Sequence, residues 1–301
     1  PNTDRFMYES IKLREIQSLV LIAMAKGPEW TQPWAESMPV NALTKKPYRG
    51  INALNLSLAQ KPRSEWGTVK QWKRLGTHPK LGEDANIVLT HFPVKAHGFN
   101  EESGEHFQYT LYIERCFDVY CADQVELKGP FFKRTVTYRL QNRKKMDAFI
   151  KRKKVTIIHG GGSACYDFLA DKVYMPRPED FFSTGTGQSK DYYYSTLMHE
   201  LVHWTGHYSR QNRLHHHLTC TPNGEEFREH YAFEELVAEM GSAILSAYFG
   251  LSKGVRKDHI NYLAIWMQHV KDDPEVLLKA TALAQKACDS LLNIKKGRKR
   301  K

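Results

Sequence analysis

His199, Glu200 and His203 stand in the order His-Glu-x-x-His, with Leu201 and Val202 between them. On a helix, positions i and i+4 share a face. Both imidazoles can therefore turn toward one ion, with Glu200 beside them to act on a water held there. Zinc is the usual ion for such a pattern, and manganese or cobalt accepts similar ligands. Zinc lowers the pKa of its bound water toward ~7 and polarises a carbonyl. Glu200 then serves as the base that takes the proton and passes it to the leaving group. Amide hydrolysis by a zinc-dependent metalloendopeptidase is the natural reaction class, and phosphoester hydrolysis is a weaker alternative. A chance match is expected about 0.04 times in a chain of this composition. The competing reading is a surface helix with two unremarkable histidines. Against it, Tyr194, Leu197, Met198, Leu201 and Val202 form an apolar stripe on another face, and Gly206 sits where a helix stop would.

A catalytic zinc needs a third protein ligand and an open position. The extension His-x-x-Gly-x-x-His fails here: Ser209 occupies the third histidine's place, and His207 misses the spacing. The better candidate lies on the next strong helix, Tyr231-Ala232-Phe233-Glu234-Glu235-Leu236-Val237-Ala238-Glu239. Glu235 and Glu239 are one turn apart on one face. One can bind the metal while the other orients a ligand histidine through its free ring N–H. We assign Glu235 as ligand and Glu239 as the orienting partner. The bland reading is a solvated face with three carboxylates. His207 and the run His215 to His217 are weaker ligand candidates, because a loop run of histidines more often picks up stray metal than builds a preorganised site. Tyr231, His207 and Arg210 are candidate oxyanion donors, and the sequence does not choose among them.

The elements that must position these residues divide into an α+β pattern with two domains. Residues 5–25 read as an amphipathic helix stopped by Gly27-Pro28. Residues 86–92 and 107–120 read as strands, with a polar loop at 97–106. Residues 1–126 form the first domain. A basic connector, 127–154, includes a helix around Met146, Phe149 and Ile150. The second domain, 155–294, opens with a strand at 155–158, a Gly160-Gly161-Gly162 turn and a strand at 171–175. It is mostly helical after 190, apart from a loop at 207–224. A basic tail, 295–301, follows.

The chain has 301 residues and a formal net charge of +11. Residues 127–155 hold 11 basic residues against Asp147, and residues 40–80 hold 9 against Glu65. Clusters of this kind point to a polyanion. Lys45, Lys46, Tyr48, Arg49, Trp66, Lys70, Trp72, Lys73 and Arg74 interleave cations with rings, a composition that suits single-stranded nucleic acid. The bland reading makes Trp66 and Trp72 core residues with surface lysines between them. No helix-turn-helix, RNP motif or zinc finger supports sequence-specific reading of a duplex. No run of 18 apolar residues marks a membrane span, and the N-terminus lacks a signal pattern, so the chain reads as cytoplasmic. The five cysteines include no Cys-x-x-Cys pair, which leaves buried free thiols as the expectation.

Two stretches carry a family resemblance. Pro47-Tyr48-Arg49-Gly50-Ile51-Asn52, followed by Trp66, Thr68, Lys70 and Gln71, resembles the N-terminal domain of ArdC-type antirestriction proteins, which also heads some plasmid conjugation primases. Asp171, Tyr192 to Thr196, His199 to His207, Arg210 and Tyr231 to Glu239 resemble the same family's zincin domain. The resemblance covers roughly residues 5–292. It implies a plasmid-borne protein that joins a single-stranded-DNA-binding domain to an SprT-like metalloprotease and protects incoming DNA from host restriction during conjugation. The protein substrate is unknown, and a host restriction component is one option. It also favours Glu235, within the family's Glu-x-x-Ala-Glu stretch, as third ligand. The alternative is a DNA-coating antirestriction protein whose metal site is structural or regulatory. The His215–His217 run and the basic tail depart from the family pattern.

Overall fold

A computed structural model describes residues 38–59, 61–100, 104–126, 142–181, 189–222, 224–249, 251 and 275–294. The expected helix at 5–25, connector residues 127–141 and the tail at 295–301 lie outside the described residues. The fold is α+β, strand-rich first and mostly helical afterwards. The first part contains β1 (Val40–Asn41), α1 (Gly50–Leu58), β2 (Glu65–Gly67), α2 (Val69–Arg74), β3 (Asn86–Asn100) and β4 (Glu105–Cys121). The second contains α3 (Asn142–Lys153), β5 (Thr156–His159), β6 (Cys165–Asp167), β7 (Lys172–Met175), α4 (Ser189–Thr205), α5 (His216–Thr219), α6 (Glu225–Phe249) and α7 (Glu275–Leu292). The strands form one sheet in the order β1-β2-β4-β3 and another in the order β5-β7-β6.

The loop expected at 97–106 is largely strand. β3 and β4 pair antiparallel from Asn86 opposite Val119 out to Asn100 opposite Glu105. An antiparallel ladder is held by backbone groups, so polar side chains do not end it. Gly98 and Phe107 are cross-strand partners. A Cβ at position 98 would stand 2.4 Å from Phe107 Cζ, so the ring occupies the space that glycine leaves. Strand β6 has no counterpart among the sequence expectations. It runs antiparallel to β7 and forms the edge of the smaller sheet.

Trp66 and Trp72 of the first part face inward. Trp66 packs with Leu56, Val88, Val119 and Cys121. Trp72 packs with Ala42, Ala122 and Val125, and its indole N–H donates to the Tyr120 carbonyl at 3.0 Å. Thr68 caps α2: its Oγ1 accepts from the Gln71 N–H, and Gln71 Oε1 accepts from the Thr68 N–H. This reciprocal capping box satisfies donors that the first helical turn leaves open.

The Arg49–Asn52 stretch docks α1 between β3 and α7. Arg49 pairs with Asp289, and the Gly50 N–H donates to Gln285 Oε1 at 2.9 Å. Gly50 has φ +54°, a conformation that glycine adopts without a Cβ penalty. Asn52 clasps the backbone of Leu89, donating to its carbonyl at 2.6 Å and accepting from its N–H at 2.7 Å. Ile51, Leu54 and Leu89 thereby join the main core, with Leu197, Leu201, Val237, Leu277 and Cys288.

Candidate metal centre

Helix α4 carries His199, Glu200 and His203. Its apolar stripe is buried: Leu197, Met198, Leu201 and Val202 are fully inaccessible. Helix α6 crosses it closely at Gly241, where an added Cβ would meet Val202 Cγ2 at 2.7 Å. Only a residue without a side chain permits that approach. The crossing brings the carboxylates of α6 against the histidines of α4.

Donor groups from three residues converge. His199 Nε2 and His203 Nε2 are 3.1 Å apart. Glu235 Oε2 lies 3.4 Å from His199 Nε2, and Glu235 Oε1 lies 3.3 Å from His203 Nε2. Zinc bound to nitrogen and oxygen at about 2.0–2.2 Å in a tetrahedron separates its ligands by roughly 3.3–3.5 Å. One Glu235 oxygen faces each imidazole, and the individual spacings are close to those between neighbouring ligands in a zinc coordination shell. All three residues are buried.

The outward nitrogens are also held. His199 Nδ1 lies 3.3 Å from Glu239 Oε1, and His203 Nδ1 lies 3.3 Å from Glu234 Oε1. Each imidazole thus faces a carboxylate on its far side, which sets ring orientation and raises ligand basicity. Glu234 is fixed in turn by Arg213, whose Nε and Nη2 donate to its two oxygens at 3.0 and 2.9 Å. Arg213 Nη2 also reaches the Val202 carbonyl at 2.7 Å, near the end of α4. Gly206 supports this return, since its carbonyl accepts from the N–H groups of Arg213 and Leu214.

The electrostatics call for a cation. Glu234, Glu235 and Glu239 crowd two imidazoles, with Arg213 as the compensating guanidinium. Burial opposes charge on His199, but hydrogen bonds to Glu235 and Glu239 outweigh it and push its pKa up to about 9. At His203 burial is likewise outweighed, by Glu235 and Glu234, and the pKa rises to about 10. Burial would raise the Glu235 carboxyl, yet the two imidazoles hold it far below the usual carboxylate range. Two buried imidazoles and a buried carboxylate, with the far sides of the imidazoles held by further carboxylates, form a donor set that fits zinc.

Glu200 is 3% exposed. The Cys165 thiol, on edge strand β6, is pushed up by burial and then by the Glu200 and Asp167 carboxylates. Of the candidate oxyanion donors, Arg210 is engaged elsewhere. It pairs with Asp171, donates to Tyr166 Oη and the Trp204 carbonyl, and lies 3.9 Å over the Trp204 ring. His207 bonds Ser209 and packs on Phe168 and Tyr208. Tyr231 stacks on Phe227. Of the weaker ligand candidates, His216 and His217 meet Phe227, and His217 also stacks on Phe168.

The nucleic-acid candidates separate into two groups. Lys45, Lys46, Lys70, Lys73 and Arg74 are exposed. Trp66 and Trp72 are 1% and 0% exposed, so neither ring offers a face to a base, and the expectation of stacking on them is corrected. Their burial follows from the short strand and capped helix that turn both rings onto the sheet. Arg49 is committed to Asp289, and Tyr48 is half-buried beside Asn41, whose amide donates to its hydroxyl. Sequence reasoning missed Glu234 and Arg213. The sole sequence signal for Glu234 is its place in the carboxylate-rich helix, and for Arg213 there is none.

A family model for the N-terminal domain of the anti-restriction factor ArdC matches residues 13–120, and one for a zincin-like metallopeptidase matches residues 144–283. The crystal structure of the antirestriction ArdC protein from the R388 plasmid, metal-free, superposes with a TM-score of 0.73 at 29% identity. It covers 93% of this chain and 96% of that one. The chain thus resembles ArdC along nearly its whole length, with an ArdC-type N-terminal domain followed by a zincin-like domain. The Mn(II)-bound structure of the R388 ArdC superposes with a TM-score of 0.69 at 28% identity, over 93% of this chain and 97% of that one. A DNA primase TraC from Escherichia coli is 30% identical over 95% of this ArdC-like chain, and a second over 87%. The chain spans 27% and 18% of the length of those two primases. An uncharacterized protein, y4eC, of Sinorhizobium fredii is 27% identical over 96% of this chain and 92% of its own length. No helix among the described residues is long and apolar enough to cross a membrane.

Proposed function

We propose that this ArdC-like chain is a cytoplasmic antirestriction protein that binds single-stranded DNA and hydrolyses a protein at the His199–His203–Glu235 centre. In this role it protects incoming plasmid DNA from host restriction during conjugation. The observation that carries the hydrolytic reading is the cluster of donor groups with Glu200 next to His199 on α4. A structural metal site has no need of that glutamate. His199, His203 and Glu235 would hold zinc, or another divalent metal such as manganese. Zinc bound there supplies Lewis acidity to a carbonyl and acidifies a coordinated water.

The chain's own groups do the rest. Glu239 and Glu234 hold the two imidazoles in their orientations. Glu200 serves as the base in this reading, taking a proton from the attacking water and returning it to the leaving amine. β6 is an edge strand, so an extended substrate segment can pair with it as an added strand. On the first part, Lys70, Lys73 and Arg74 lie on one side of α2, opposite buried Trp72. Asn41, at the head of the loop bearing Lys45 and Lys46, donates to Gln71 Oε1 on α2. These cations form a phosphate track without base specificity.

The test is Glu200→Gln in the full chain. Hydrolysis of an unfolded protein such as casein, with single-stranded DNA present, should fall by about a hundred- to ten-thousand-fold. Bound metal should be unchanged, and protection of transferred DNA should be lost. Full protection by Glu200→Gln would instead establish the alternative, a DNA-coating protein with a non-catalytic metal site.

A further inference from the structure

The loop that returns from Gly206 and the first turns of α6 together carry a second set of metal donors. Cys220 follows α5, and Glu226 and His230 stand four residues apart on the first turns of α6. They therefore share one face. A sulfur, a carboxylate oxygen and an imidazole nitrogen from these residues lie within 4.8 Å of one another. Glu226 Oε1 is 3.8 Å from His230 Nε2. His215 and His216 add two imidazoles, with ring centroids 5.9 and 5.5 Å from that of His230.

Zinc bonds of about 2.0–2.3 Å in a tetrahedron need donors roughly 3.3–3.8 Å apart. The present spacings, 3.8 Å between Glu226 and His230 and within 4.8 Å overall, are at or somewhat above that size, so an ion would draw the donors together. The mix of thiolate, imidazole and carboxylate is a zinc donor set, whereas calcium and magnesium take oxygen ligands. The competing reading is a solvated surface pair, since Glu226 and His230 are substantially exposed and such pairs contribute little. The cysteine argues against it. It comes from the loop and the other two donors come from the helix, so an ion here would cross-link the two.

We propose that Cys220, Glu226 and His230 form a second, structural zinc site that fastens the loop after Gly206 to the start of α6, one turn before Glu234. The proposal does not depend on hydrolysis at the first centre. That centre has no cysteine ligand, so a thiolate-to-cobalt charge-transfer band reports on the second site alone.

The full chain loaded with Co(II) should show this band. Cys220→Ser should abolish it, and His230→Ala should weaken it. The pair His199→Ala with His203→Ala, which empties the first centre, should leave it intact. Zinc content, measured by plasma emission, should be about two per chain in the unaltered protein and about one in Cys220→Ser. If the histidine pair does not fold, the unaltered protein and Cys220→Ser still separate a second site from a solvated pair. A single zinc in the unaltered chain, or a band that survives Cys220→Ser, overturns the proposal.

Discussion

Where α6 crosses α4 the ionisable residues of the candidate metal centre are inside, whereas around β2 and α2 the cations are outside and the two tryptophan rings are inside. His199, His203, Glu234 and Glu235 are all buried. Burying so many ionisable groups is costly unless each is paired, and here each has a partner. Around α2 the opposite arrangement holds: Lys70, Lys73 and Arg74 are in water, and Trp72 is wholly covered. The difference shows where each region's specificity can come from. The first is preorganised for one small ion. The second offers a diffuse field, suited to a polyanion and sensitive to salt.

This contrast can be broken at its stiffest point first. Trp66→Ala should cost about 3–5 kcal/mol of stability, as truncation of a buried tryptophan does, read from urea unfolding. Affinity of the folded fraction for single-stranded DNA should change little. A variant that lost DNA affinity at unchanged stability would put Trp66 back on the binding surface.

Next in size is the shell around the candidate metal centre. Glu234→Gln or Arg213→Ala should weaken metal binding by about 10–100-fold, the usual penalty for losing a group that orients a ligand histidine. Competition against a chromophoric chelator measures it. An unchanged affinity would mean that the buried carboxylates serve packing alone.

The smallest effect belongs to the exposed cations. Replacing Lys70, Lys73 and Arg74 together by alanine should flatten the dependence of log affinity on log salt by about 2, at roughly 0.7 per phosphate contact. Bound metal should be untouched. An unaltered slope would move the phosphate track elsewhere on the chain.

Legibility in the sequence follows the range of the interaction. His199 and His203 are one helical turn apart, so their shared face needs nothing beyond α4. Glu235 and Glu239 are legible by the same periodicity once α6 is recognised. The Glu234 contact to His203 is not, because it depends on how α6 crosses α4, and that is set by Gly241 against Val202. Arg213 is invisible for a similar reason: the loop must fold back before its guanidinium meets Glu234. Trp66 sits on a three-residue strand, too short for alternation to declare which side faces the sheet. The polar run at 97–106 reads as loop because side-chain composition says little about a ladder held by backbone bonds.

By itself the sequence determined the His-Glu-x-x-His helix, the carboxylate-rich helix that could complete a metal site with it, the basic segments and the α+β division of the chain. These rest on periodicity and local composition, which are set by residues a few positions apart. Tertiary structure decided which carboxylate faces which imidazole nitrogen, that Trp66 and Trp72 belong to the core, and that the Arg49–Asn52 stretch joins α1 to β3 and α7. Such outcomes depend on contacts between segments distant along the chain. Their geometry is set by close packing and by the need of every buried charge for a partner.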